Sequence, residues 1–152
     1  MKKYLLGLLT MVMTCLSWIT PTRAAVVEPV VSTEYSKLYL DSGSVATVKR
    51  GQEYFLLAAV EERYTDEDFL AELHKDKELS QVVASSYLYL FDNRGATYRI
   101  GAWYFIDENG KVCQDMGKNM TDQPVDKSLT KVYEAALAII EGQKRMQRFS
   151  HR

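Results

Sequence analysis

From Ser85 onward the hydrophobic period of this chain is two, and it stays two through three segments separated by tight-turn sequences. Tyr87-Leu88-Tyr89-Leu90-Phe91 is the first, residues 97–106 the second and residues 111–116 the third. Between them stand Asp92-Asn93-Arg94-Gly95 and Asp107-Glu108-Asn109-Gly110, which supply the Asn, Asp and Gly that tolerate positive φ in a hairpin. Connections this short cannot hold a crossover, so the three strands must pair antiparallel as a meander. That requirement excludes a helix bundle and an all-parallel sheet.

The flanking segments add to the sheet and supply its cover. Residues 37–41 read as a strand, Ser42-Gly43-Ser44 as a turn, and residues 45–49 as a further extended segment ending at Arg50-Gly51. Residues 53–63 are apolar on both alternating faces near their middle, as in a central strand. Thr65 followed by Asp66-Glu67-Asp68 opens a short amphipathic helix over 66–74, where acidic side chains suit the positive end of the helix dipole. Residues 78–84 are expected to add a turn or two of helix. The loop 119–127 carries Pro124, and Ser128 is the expected cap of a long helix running to about Gln147. Its stripe of Leu129, Val132, Tyr133, Ala136, Leu137 and Ile140 suits one sheet face. The expected fold is a single α+β domain: an antiparallel sheet of about five strands, a short helix in the middle and a long C-terminal helix packed on one face.

The first 24 residues read as a cleaved export signal. Lys2 and Lys3 give a positive start, residues 5–19 an apolar run, and Thr22-Arg23-Ala24 a small residue at the cut between Ala24 and Ala25. Two alternatives stay open: retention as an anchor, against which stand Gly7, Thr10, Thr14, Ser17 and Pro21, and lipidation at Cys15, against which stands the bulk of Thr14. Residues 25–36 then form an extended lead-in, 37–147 the domain and 148–152 a basic tail. Cleavage leaves 128 residues, enough for one core, and no stable membrane span. Lys2, Lys3 and Arg23 leave with the signal, so the 19 basic residues become 16 against 20 acidic ones, a net charge of −4. An acidic balance argues against nucleic acid as a partner. The expected location is periplasm, cell surface or medium.

No catalytic residue, metal ligand or cofactor-binding residue is assigned. The two histidines, His74 and His151, stand apart from any nucleophile at a useful spacing, and with Cys113 they are too few for a zinc site. Asp66-Glu67-Asp68 is read as a helix start and residues 107–110 as a hairpin, since the ligand spacing of a calcium loop is missing. Cys113, the only cysteine left after cleavage, is read first as a small buried hydrophobe, with half of an intermolecular disulfide and a reactive catalytic thiol as the alternatives.

Aromatic density is the stronger signal. Nine tyrosines lie beyond the signal; Tyr87, Tyr89 and Phe91 share one face of their strand, and Tyr98, Tyr104 and Ile106 are expected to share one face of its neighbour. One terminal helix covers one face only, so these aromatics are either core or an interaction surface for a protein partner or a second copy. Lys144, Arg145, Arg148, His151 and Arg152 form a basic end to an acidic chain. It either complements the helix C-terminus as a frayed end or meets anionic lipid, glycan or cell-wall polymer.

Residues Leu38-Tyr39-Leu40-Asp41-Ser42-Gly43-Ser44-Val45 resemble the opening of the surface-adhesin protein E-like family, where an aromatic residue and an Asp are followed by two spacers, Ser, and Ile or Val. Tyr104-Phe105-Ile106-Asp107-Glu108-Asn109-Gly110-Lys111 is similar to the hairpin of those small exported bacterial domains. The resemblance implies an envelope-located sheet-and-helix domain that binds host or matrix proteins, and it carries over no binding residue. The expectation is an exported non-enzymatic binding protein. The alternatives are a small hydrolase or ligand-sequestering protein with an acidic pocket near Asp41, Asp66 and Asp107, and an accessory subunit of an envelope complex.

Overall fold

The structure, a computed structural model, describes residues 29–150. The signal, with Ala24, Ala25 and Cys15, and the last two residues, His151 and Arg152, lie outside the described residues. The fold is α+β. Seven strands form one antiparallel sheet: β1 Val31–Ser32, β2 Ser36–Leu40, β3 Ala46–Arg50, β4 Glu53–Tyr64, β5 Ala84–Asp92, β6 Thr97–Ile106 and β7 Val112–Pro124. The order is β1-β2-β4-β5-β6-β7, with β3 also paired to β4. Between β4 and β5 lie the short helix α1 Glu67–Leu73 and a 3-10 turn, Lys77–Leu79; the chain ends in the long helix α2 Lys127–Ser150.

The sheet has more strands than the five expected, because residues of the lead-in pair as β1 and because β2 and β3 divide one edge of β4. β2 faces Val60 to Tyr64 and β3 faces Glu53 to Leu57, both antiparallel. The break is stitched shut: Asp41 N–H donates to the Ala59 carbonyl at 3.0 Å, and Ala59 N–H to Ser44 Oγ at 2.8 Å. Backbone groups freed by the kink therefore stay paired, as burial in a sheet demands.

The meander forms with its expected turns. Gly95 and Gly110 sit at φ of 67° and 77°, the left-handed region in which a Cβ is costly. Asp92 and Asp107 each accept two backbone N–H groups across those turns. Three boundaries differ from expectation. The helical turns predicted over 78–84 shrink to the 3-10 turn. The third meander strand continues through the predicted loop to Pro124. It does so because an edge strand bears no apolar alternation requirement, and Asn119, Thr121 and Asp122 stay exposed while the backbone pairs with β6. Finally, α2 is capped by Asp126 in place of Ser128: Leu129 N–H donates to Asp126 Oδ1 at 2.8 Å.

The core lies between α2 and one face of the sheet. Leu129, Val132, Ala136 and Ile140 descend from the helix onto Leu56, Ala58 and Val60 of β4, with Tyr89 and Phe91 of β5. Burial of each large side chain contributes about 1.5–3 kcal/mol. α1 buries none of its residues. Beyond Ile140, residues 141–148 of α2 are exposed throughout.

Candidate functional site

The strand aromatics divide differently from the alternation of the sequence. β5 and β6 slip register by one residue: Leu88 opposes Ala102 and Tyr89 opposes Ile100, leaving Gly101 as the unpaired residue of a bulge. A Cβ on Gly101 would stand 2.8 Å from Leu90 Cδ1, so only glycine passes there without displacing that side chain. The extra residue inverts parity. Tyr98 and Ile100 therefore share the α2 face with Trp103 and Phe105, while Tyr104 and Ile106 turn to the opposite face. The expected pairing of Tyr98 with Tyr104 on one face is thereby corrected.

On the α2 face the rings form a continuous ladder. Phe105 meets Trp103 at 5.9 Å between centroids, Trp103 meets Tyr87 at 5.6 Å, Tyr87 meets Tyr89 at 5.2 Å, and Tyr89 meets Tyr98 at 5.4 Å. The polar groups at its Trp103 end are satisfied from within. Trp103 Nε1 donates to Ser85 Oγ at 3.1 Å, and the Ser85 and Tyr64 hydroxyls bond at 2.5 Å, with Ser85 fully buried. At the other end Phe91, 0% exposed, lies in the core, and Tyr133 of α2 packs on it at 5.6 Å.

Of the residues expected to form an interaction surface, Phe91 is thus wholly core and Tyr104 faces away. Tyr89 is 7% exposed, a core residue whose edge reaches a groove. Tyr87 and Tyr98 are half-buried. The reason is coverage: α2 crosses the Phe91 end of the ladder and leaves the β1–β2 turn as the far wall beside its own N-terminus.

That groove, about 510 Å³ and open to solvent, is the candidate site. Its aromatic walls are Tyr35, Tyr89 and Tyr98, its carboxylates Glu34, Glu62 and Asp126; no lining residue is basic. Tyr35 is 60% exposed, yet its backbone is pinned. Its carbonyl accepts from Thr65 N–H at 2.8 Å and Asp66 N–H at 3.2 Å, and its N–H donates to Thr33 Oγ1 at 3.2 Å. Glu62 accepts from Ser36 Oγ at 2.7 Å and is also bonded by the Tyr87 hydroxyl, which holds its carboxylate at the groove wall. Asp126, whose Oδ1 caps α2, lines the same space.

Electrostatics agree with the geometry. Burial pushes the Tyr89 hydroxyl pKa far up, and Tyr87, Glu62, Tyr98 and Asp126 add to the rise. Burial also raises Tyr98, with Asp126 second. Glu34, bonded to the Tyr35 hydroxyl, raises that group too. All three tyrosines thus stay neutral under a negative field, and the exposed Tyr35 and half-buried Tyr98 rings can offer a π face to a cation.

Sequence reading missed Tyr35, Glu34, Glu62 and Asp126. One signal was present: on the face of β4 carrying Leu56, Ala58 and Val60, the next residue is Glu62, where an apolar stripe under a helix would have continued.

A second cleft, about 380 Å³, lies near the β3–β4 hairpin and is organised by Arg99. The Arg99 guanidinium stacks 4.8 Å over the Phe55 ring, bonds Asp122 Oδ1 at 2.6 Å and reaches Glu53 at 3.5 Å. Its charge is already neutralised by these partners, which marks a tie between β4, β6 and β7. Asp41, Asp66 and Asp107, the expected acidic pocket, each cap a local turn or helix start. Cys113 is a free thiol and half-buried, not the fully buried hydrophobe first expected.

Among the described residues no group of three or more His, Cys, Asp or Glu is arranged to hold a metal ion, and no helix is long and apolar enough to cross a membrane. Comparison with protein families, with curated proteins and with solved structures finds no match for this chain.

Proposed function

We propose that this chain is an exported, non-enzymatic binding protein, and that its working surface is the tyrosine–carboxylate groove between the β1–β2 turn and the N-terminus of α2. One observation carries the reading: three tyrosines and three carboxylates converge on one open groove with no basic residue to neutralise them. Such a surface favours a positively charged group, held by carboxylates at its charge and by ring faces at its flanks. Each cation–ring contact contributes about 0.5–2 kcal/mol. A guanidinium fits best, because it is planar, stacks on aromatic rings and pairs with carboxylates in a fork. The bound species is then a protein segment that presents arginine. Export rests on the features of residues 1–25, and the likeness to surface-adhesin protein E-like domains supports an envelope location.

Calorimetric titration with a hexa-arginine peptide tests the reading, with hexaglutamate as the charge control. Tyr35→Ala is the informative variant, since that ring is exposed and its removal spares the core. The native chain is expected to bind hexa-arginine and not hexaglutamate, and Tyr35→Ala or Glu62→Gln to weaken binding about tenfold. Equal affinity for the native chain and both variants would reject the groove as the surface.

A further inference from the structure

The far end of α2 has the opposite character. Residues 141–148 are all exposed, Met146 at 70%, and Lys144, beside Tyr54 at the sheet edge, Arg145 and Arg148 have no ion-pair partner among the described residues. From Ile140, its last buried residue among those described, α2 runs eight more residues that are all exposed, about 12 Å at 1.5 Å per residue. An isolated helical segment of that length is marginal in water, so this end has little holding it but continuity with the packed part of α2. One cation would complement the helix dipole; three on an unsupported extension exceed that need.

Both features belong to one helix. Asp126 caps its start, at the acidic groove, and Arg145 lies 19 residues on, about 28 Å away along the axis. A straight helix cannot fold its own end back into that groove. We infer that the groove receives the basic end of α2 from a second copy of this chain, with Arg145 and Arg148 entering between Tyr35, Tyr98 and Glu62. This rests on the groove reading above and names its occupant. The contact is heterologous: each copy offers one groove and one basic end, so copies join head to tail into a ring or a growing chain. Charge pairing at the joint makes association sensitive to salt, since screening acts over about 10 Å at 0.1 M.

Sedimentation of the purified full chain over a concentration series tests it. Two variants keep the outcome readable, and neither alters a buried residue. One carries Arg145→Glu and Arg148→Glu on the extension; the other carries Glu34→Gln and Tyr35→Ser at the groove. The native chain is expected to self-associate, more weakly by about tenfold or more in high salt, and each variant alone to be monomeric. Mixed one to one, the variants should form a dimer and stop there, because only one competent groove and one competent end remain. A native chain that stays monomeric overturns the inference, and so does an association indifferent to the extension charges. Either result leaves the groove reading standing if hexa-arginine still binds in a Tyr35-dependent way. Binding of the extension to anionic lipid vesicles by a chain that stays monomeric would assign that end to a membrane surface and reject the joint.

Discussion

At the scale of single residues, tyrosines decide both the stability and the chemistry of this domain. Tyr87 and Tyr89 are held neutral chiefly by burial, their pKa values raised in the folded state. In the unfolded chain they ionise near pH 10. The sign follows: below that pH both states hold the proton and the contribution is fully present. Above it the unfolded state releases the proton first, so stability falls as pH rises toward the folded pKa. Denaturation followed by tyrosinate absorbance should therefore show a loss of stability beginning near pH ~10, reduced in Tyr89→Phe. An alkaline limb unchanged by that substitution would remove Tyr89 from the account. Residue types were legible in the sequence, but burial was not. Tyr89 and Tyr35 look equally exposed or equally buried as letters, and only the crossing path of α2 separates them.

Elements were legible where turn chemistry is local. Asp92 to Gly95 and Asp107 to Gly110 announced two hairpins, and both formed, because the Asp side chains and the positive φ of Gly95 and Gly110 act within four residues. Gly95 has a further duty. A Cβ there would lie 2.5 Å from Tyr133 Cε1, so α2 rests against the turn itself. Gly95→Ala combines a strained φ with that collision and should cost more than about 1 kcal/mol, read as a lowered midpoint in urea unfolding. Gly101 marks the limit of such reading. A glycine inside a strand signals a bulge, yet strict alternation across it placed Tyr104 beside Tyr98 when the extra residue puts them on opposite faces. The full length of β7 was hidden for a different reason, since edge strands carry polar residues and read as loop.

At the scale of the whole molecule, one helix organises everything. It covers the middle of a seven-stranded sheet, leaves the tyrosine–carboxylate groove open at its start and extends a basic end into solvent. The α+β class followed from periodicity. The groove did not, because Glu34, Tyr35, Glu62 and Asp126 come from three separate parts of the chain and meet only through β2–β4 pairing and the docking of α2. The central claim is that this groove is the working surface. Amide chemical-shift mapping tests it most directly, with hexa-arginine added to the isotope-labelled chain. Shifts concentrated at Tyr35, Ser36, Glu62, Tyr98 and the first turn of α2 are the expected result. Shifts spread over the acidic surface, or centred on Glu53 and Asp122 around Arg99, would contradict it.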